Sequence, residues 1–72
     1  MARIAAIGTA DTLAGFALAG ALVSVAEDPE AVRTAWHDLP LDVAIVVLTT
    51  DAAQVLPPEV FDHDWPLLAV LP

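Results

Sequence analysis

Val43-Ala44-Ile45-Val46-Val47-Leu48 is an unbroken apolar run, rich in β-branched residues. Successive strand side chains point to opposite faces, so a strand that is apolar at every position must be covered on both sides. Such coverage belongs to the inside of a parallel sheet, and the run predicts an interior strand. Downstream, Asp51 with Gln54 three residues on reads as a capping box for a short third helix, which Pro57-Pro58 stops. Glu59 to Trp65 reads as a loop and Leu67 to Leu71 as a final strand.

Upstream of the run the chain repeats the same alternation. Arg3 to Gly8 is a short apolar strand ending in glycine. Thr9, Asp11 and Thr12 offer side-chain oxygens to the free amides of a helix over Asp11 to Ala19, with Gly20 as its stop. Ala21 to Ala26 reads as a second strand. Asp28-Pro29-Glu30 then supplies an N-cap, a first-turn proline and a first-turn acid for helix two. Along that helix Val32, Ala35, Trp36 and Leu39 share one face, whereas Glu30, Arg33, Thr34 and His37 face away. Arg33 is expected to pair with Glu30, and Pro40 to end the helix. Strict alternation of strand and helix means right-handed βαβ units and an α/β fold. The expected architecture is a four-stranded parallel sheet in the flavodoxin- or receiver-like order 2-1-3-4, with strands two and four at the edges. In that order helix one lies on one face and helices two and three on the other.

Composition narrows the function. The 72 residues are 58% hydrophobic, enough for a core but only for one small domain. Two basic residues against ten acidic ones give a net charge of -8, which repels phosphate backbones and anionic lipid. Nucleic acid and membrane surfaces are therefore excluded as natural partners. The chain has no cysteine, and a reducing, cytoplasmic setting is the default. The longest charge-free run, Thr12 to Ala26, is shorter than the roughly 18 to 20 residues a membrane-spanning helix needs. Arg3, the apolar stretch after it and Ser24-Val25-Ala26 imitate a secretory signal, but Asp11 places a charge inside its apolar region.

No catalytic, cofactor-binding or metal-binding residue is expected. Gly8-Thr9-Ala10-Asp11 lacks the glycines of a dinucleotide fingerprint, the chain has no lysine for a P-loop, and an acid stands where a phosphate would sit. Asp11 and Asp51 follow strands one and three, as the acids of a phospho-receiver domain do. The second acid of the metal-binding pair, the lysine and a fifth strand are all missing, however, so Asp51 reads as a helix cap. Asp62-His63-Asp64 reads as a solvated acidic loop, because adjacent residues seldom converge on one ion. Ser24 lies in a strand rather than on a nucleophile elbow. Trp36 and Trp65, with no interleaved basic residues, read as core or rim packing.

Helix one is the exception to the expected pattern. Leu13, Phe16, Ala17 and Gly20 form one apolar stripe and Ala14, Leu18 and Ala21 another. A helix that is apolar nearly all round is normally covered on both sides, and its small residues would let a second element approach closely. Ala14 and Leu18, with Phe16 beside them, are the predicted partner-binding residues. A receiver-like protein-interaction domain is the alternative reading of the same features.

The stretch I-A-A-I-G-T-A-D-T-L-A-G-F-A-L-A-G, Ile4 to Gly20, resembles the opening of the F subunits of the V-type and archaeal-type rotary ATPases. The spacing G-x-x-D-T-x-x-G-F-x-L-A-G carries most of the likeness. Glu27-Asp28-Pro29-Glu30, V-A-I-V-V-L-T-T-D and P-L-L-A-V-L-P follow in the same order. The resemblance implies a non-catalytic central-stalk subunit with no cofactor of its own. Its partner would be the coiled-coil axle subunit, on the cytoplasmic side of a complex that couples ATP hydrolysis or synthesis to ion transport. It also implies a C-terminal helical segment beyond the sheet domain. Residues 1–72 stop where that segment would begin, so an apolar face left open for a partner or for self-association is expected.

Overall fold

The structure, a computed structural model, describes residues 3–62 and 65–72. In chain order the elements are β1 (Arg3–Gly8), α1 (Ala10–Leu18), β2 (Leu22–Val25), α2 (Pro29–His37), β3 (Val43–Leu48), α3 (Thr50–Val55), a 3-10 turn (Pro58–Asp62) and β4 (Leu67–Val70). The strands form a four-stranded sheet in the order β2-β1-β3-β4, every pairing parallel. β3 is interior, as its uninterrupted apolar sequence predicts, and β2 and β4 are the edges. The 3-10 turn occupies part of what reads in sequence as loop. His63 and Asp64 lie outside the described residues, so of the acidic tripeptide only Asp62 is placed.

Helices cover the sheet unequally. On one face α2 and α3 close a core of Ala5, Ile7, Val43, Val46 and Leu48 with Val32, Ala52 and Leu56. On the other, α1 alone contributes Leu13, packed on Ala6 and Val47 with Phe16 and Ile45 alongside. A register shift between Arg3 and Ile4 leaves Ala44 unpaired with β1. This bulge puts Val43 into the α2/α3 core and Ile45 into the α1 cluster, although the two are two apart and would otherwise share a face.

Helix ends show where local chemistry departs from expectation. Asp28 caps α2 as predicted, its carboxylate accepting from the Ala31 amide at 2.8 Å with Pro29 in the first turn. α2 ends at His37, two residues before the last apolar position of its predicted stripe. The cap of α3 is Thr49 rather than Asp51: the helix begins at Thr50, and the Ala52 amide donates to Thr49 Oγ1 at 3.3 Å. Asp51 lies instead in the first turn, favourable to the helix dipole without capping it. α1 has no side-chain cap; the Thr9 hydroxyl donates to Thr12 Oγ1 at 3.1 Å and accepts from no first-turn amide. Gly20 follows α1 with φ 89°, the left-handed conformation in which glycine ends helices without a Cβ penalty. The predicted Arg33–Glu30 pair does not form; the ion pair among the described residues joins Arg3 to Asp42. The Arg33 side chain instead borders an apolar depression with Trp36 and Leu56.

Candidate docking site

Helix α1 is too short and too peripheral to cover its face of the sheet. Its inward side is narrower than the sequence stripe suggests: Leu13 is buried and Phe16 half-buried, whereas Ala17 and Gly20 are exposed. The helix packs chiefly over β1 and β2. Farther across the sheet, Ile4, Ile45 and Leu67 stand opposite one another in register on β1, β3 and β4. Ile45 is half-buried, but Ile4 and Leu67 are 46% and 59% exposed, so the row is open to solvent. Between this row and the C-terminal end of α1 lies a groove of about 490 Å³, bordered by Ile4, Ile45 and Val47 from the sheet and Phe16 and Ala19 from the helix side.

Of the three predicted partner-binding residues only Phe16 lines this groove. It also anchors α1 to the core. Ala14 and Leu18 are exposed, Leu18 at 91%, and their four-residue spacing puts them on one side of the helix. The row Ile4–Ile45–Leu67 is not foreseeable from sequence as part of a surface. Its members belong to three separate strands, and only the register, with its bulge, aligns them.

Charge is distributed to match. Of the acids in the described residues, Glu27, Asp28, Glu30, Asp38, Asp51, Glu59 and Asp62 belong to α2, α3, the 3-10 turn or the loops beside them, whereas α1 carries only Asp11. Asp42 is neutralised by Arg3, whose Nε and Nη2 donate to its two carboxylate oxygens at 2.7 Å each. These hydrogen bonds hold the Asp42 carboxyl below its usual range, with desolvation opposing and the guanidinium charge assisting. The open face is thus apolar and nearly free of unpaired charge.

At the C-terminal ends of the strands, where doubly wound sheets bind ligands, Thr9, Thr49, Glu27, Asp28 and Asp51 line a crevice of about 200 Å³. Among the described residues no group of three or more His, Asp or Glu side chains is placed to hold a metal ion. Ser24 is half-buried in an edge strand and His37 is exposed on α2. No helix among the described residues is long and apolar enough to cross a membrane.

The fold and the site define a doubly wound parallel α/β domain with one apolar sheet face left partly uncovered. The family profile described as "ATP synthase (F/14-kDa) subunit" matches residues 4–72, and the chain belongs to that family. Among solved structures, the F subunit of the V-type ATP synthase from Archaeoglobus fulgidus has the same fold. It matches with a TM-score of 0.84 at 24% identity, over 99% of this chain and 98% of that one. No curated protein matches the chain.

Proposed function

We propose that the chain is a non-catalytic subunit of the central stalk of a V-type or archaeal-type rotary ATPase. In this reading it docks on the coiled-coil axle subunit and supports the coupling of ATP hydrolysis or synthesis to ion transport, on the cytoplasmic side of the membrane. Family membership over residues 4–72 supports the assignment to the complex. The observation that carries the docking role is the open row Ile4–Ile45–Leu67 on the α1 face of the sheet, with Leu18 exposed on the outer side of α1. Helices pack at about 8–10 Å when the residues between them are small, and Ala14, Gly15 and Ala17 on α1 permit such an approach.

Co-expression with the axle subunit tests the reading. The two should purify together, and Leu18→Glu or Ala14→Glu on α1 should release the axle while Thr34→Glu, on the exposed side of α2, should not. Retention of the axle by both α1 variants would move the docking surface elsewhere. Mg²⁺-dependent binding of beryllofluoride through Asp51 would instead identify a receiver-like domain.

A further inference from the structure

The two edges of the sheet are not equally protected. On β4 the Leu71 amide donates to the Leu48 carbonyl at 2.8 Å, so Leu67, Ala69 and Leu71 turn their backbone groups toward β3. The outward positions are then Pro66, Leu68, Val70 and Pro72. Prolines at both ends have no amide to donate, and they close that edge to a further strand.

β2 carries no such guard. The Ala26 amide donates to the Gly8 carbonyl at 2.8 Å, which turns Ser24 toward β1 and leaves the backbone groups of Val23 and Val25 pointing outward. Neither proline, charge nor bulge interrupts Leu22–Val25. Its outward amides and carbonyls are a template for another extended strand.

Helix α1 decides which strand that is. At about 100° per residue, Ala14 and Leu18 lie on the other flank of the helix from Phe16 and Ala19, which line the groove toward β3. They therefore flank the β2 edge. Because α1 packs over β1 and β2, a second copy paired through β2 sets its own α1 about two strand spacings away, ~10 Å. Helices pack at that distance when small residues such as Ala14 lie between them.

We infer that the free β2 edge pairs antiparallel with β2 of a second copy of this chain, across a twofold axis that joins the two four-stranded sheets and sets their α1 helices side by side. The Ala21 amide is taken by the Phe16 carbonyl at 3.1 Å, so the free groups of the strand are those of Val23 and Val25. A register centred on Ser24 pairs Val23 of each copy with Val25 of the other. It also sets Glu27 of each copy beside Ala21 of the other, which keeps the acids that follow β2 apart. The dimer belongs to the chain free of an axle and does not rest on that assignment; since Ala14 and Leu18 serve both contacts, the two complexes exclude each other.

The chain has no cysteine, so a single introduced thiol reports the pairing directly. In the proposed register Ser24 stands opposite Ser24 of the other copy with Cβ atoms about 4.5–5 Å apart, near the reach of a disulfide. Ser24→Cys, a nearly isosteric change at a half-buried site, is compared with Thr34→Cys on α2 and Leu67→Cys on β4, both more exposed. With oxidised glutathione as the oxidant, Ser24→Cys should form the disulfide dimer at least about tenfold faster than either, because pairing raises the effective thiol concentration. Adding Val25→Pro, which removes an outward amide, or Val25→Lys, which charges the edge, should return Ser24→Cys to the rate of Thr34→Cys. The lysine also lowers the net negative charge, so an association limited by charge alone would instead speed up. A Ser24→Cys rate no higher than that of Thr34→Cys would overturn the inference. So would Leu67→Cys as the fastest of the three, which would place the contact on the open row, or a Ser24→Cys rate that Val25→Lys leaves unchanged.

Discussion

Gly8 lies flush against Thr49: a β-carbon on Gly8 would collide with the Thr49 methyl and come within 2.8 Å of its Oγ1. The Thr49 amide donates to the Ile7 carbonyl at 3.2 Å, and its hydroxyl caps α3. The end of β1 and the start of α3 are therefore fitted to each other through a missing side chain. Gly8→Ala is predicted to destabilise by about 1–3 kcal/mol, the usual cost of overpacking. Thr49→Ala should cost about 1 kcal/mol through the lost cap. Because Thr49→Ala also removes the colliding atoms, the double variant should cost less than the two together. Urea unfolding of the four proteins measures this, and strict additivity would mean that the backbone relieves the clash without Thr49.

The helix caps give a sharper contrast. Asp28→Ala should lower stability by about 1 kcal/mol and Asp28→Asn by much less, since asparagine caps as well. Asp51→Ala should cost only a few tenths of a kcal/mol, the dipole contribution of an exposed first-turn acid. Thermal melts that ranked Asp51→Ala with Asp28→Ala would restore Asp51 as the cap of α3.

The pair between Arg3 and Asp42 makes stability sensitive to acid. The folded-state pKa of Asp42 is lowered by the Arg3 hydrogen bonds, so the pair's contribution is complete above the unfolded carboxyl value near 3.8 and disappears as pH falls through the lower folded value. Both side chains are about half exposed, so the effect is small and sensitive to salt. Asp42→Asn should melt below the parent at neutral pH and converge with it in strong acid. Parallel melting curves across that range would exclude a contribution from the pair.

On its own the chain should self-associate through the open α1 face. The charge of -8 opposes this, but repulsion between exposed charges fades over about 10 Å at 0.1 M salt, whereas apolar burial at about 25 cal/mol per Å² persists. Sedimentation should therefore show more oligomer at high salt than at low, and Leu18→Glu should reduce it without loss of helix or strand signal. A monomer in both buffers at high micromolar concentration would contradict the prediction.

The fold is legible in the sequence because each element carries its own signal: the unbroken apolar run of β3, the Asp28-Pro29 start of α2, Gly20 after α1. Parallel pairing follows from those elements through βαβ connection, and the order β2-β1-β3-β4 is the one expected by likeness to the flavodoxin arrangement. What escapes the sequence depends on contacts between distant residues. Arg33 has Glu30 one turn away, yet lies along the depression beside Trp36, whereas Arg3 finds Asp42 across the sheet. Thr49 displaces Asp51 as a cap through a shift of two residues in the helix start, finer than spacing alone resolves. Of the docking surface, Leu18 and Ala14 are visible as a surplus apolar stripe. Ile4, Ile45 and Leu67 are not, since each looks like an ordinary strand residue until the bulge beside Ala44 fixes its register.

Parallel pairing also governs the order in which the molecule can assemble. Ala5 on β1 faces Leu22 on one side and Val46 on the other, so every strand must wait for a helix to be made before meeting a neighbour. No hairpin offers a quick local nucleus, and closing such loops slows folding relative to helical bundles of the same size. On a ribosome, β1 emerges first but acquires its interior neighbour only after Leu48 has left the exit tunnel. Until then the apolar edge of β1 that will receive β3 stays uncovered, and a nascent chain at that stage is open to capture by chaperones or by a second nascent chain. Ribosome-bound chains stalled just before and just after β3 emerges should differ in protease resistance; equal resistance would show that β1, α1 and β2 already fold without it.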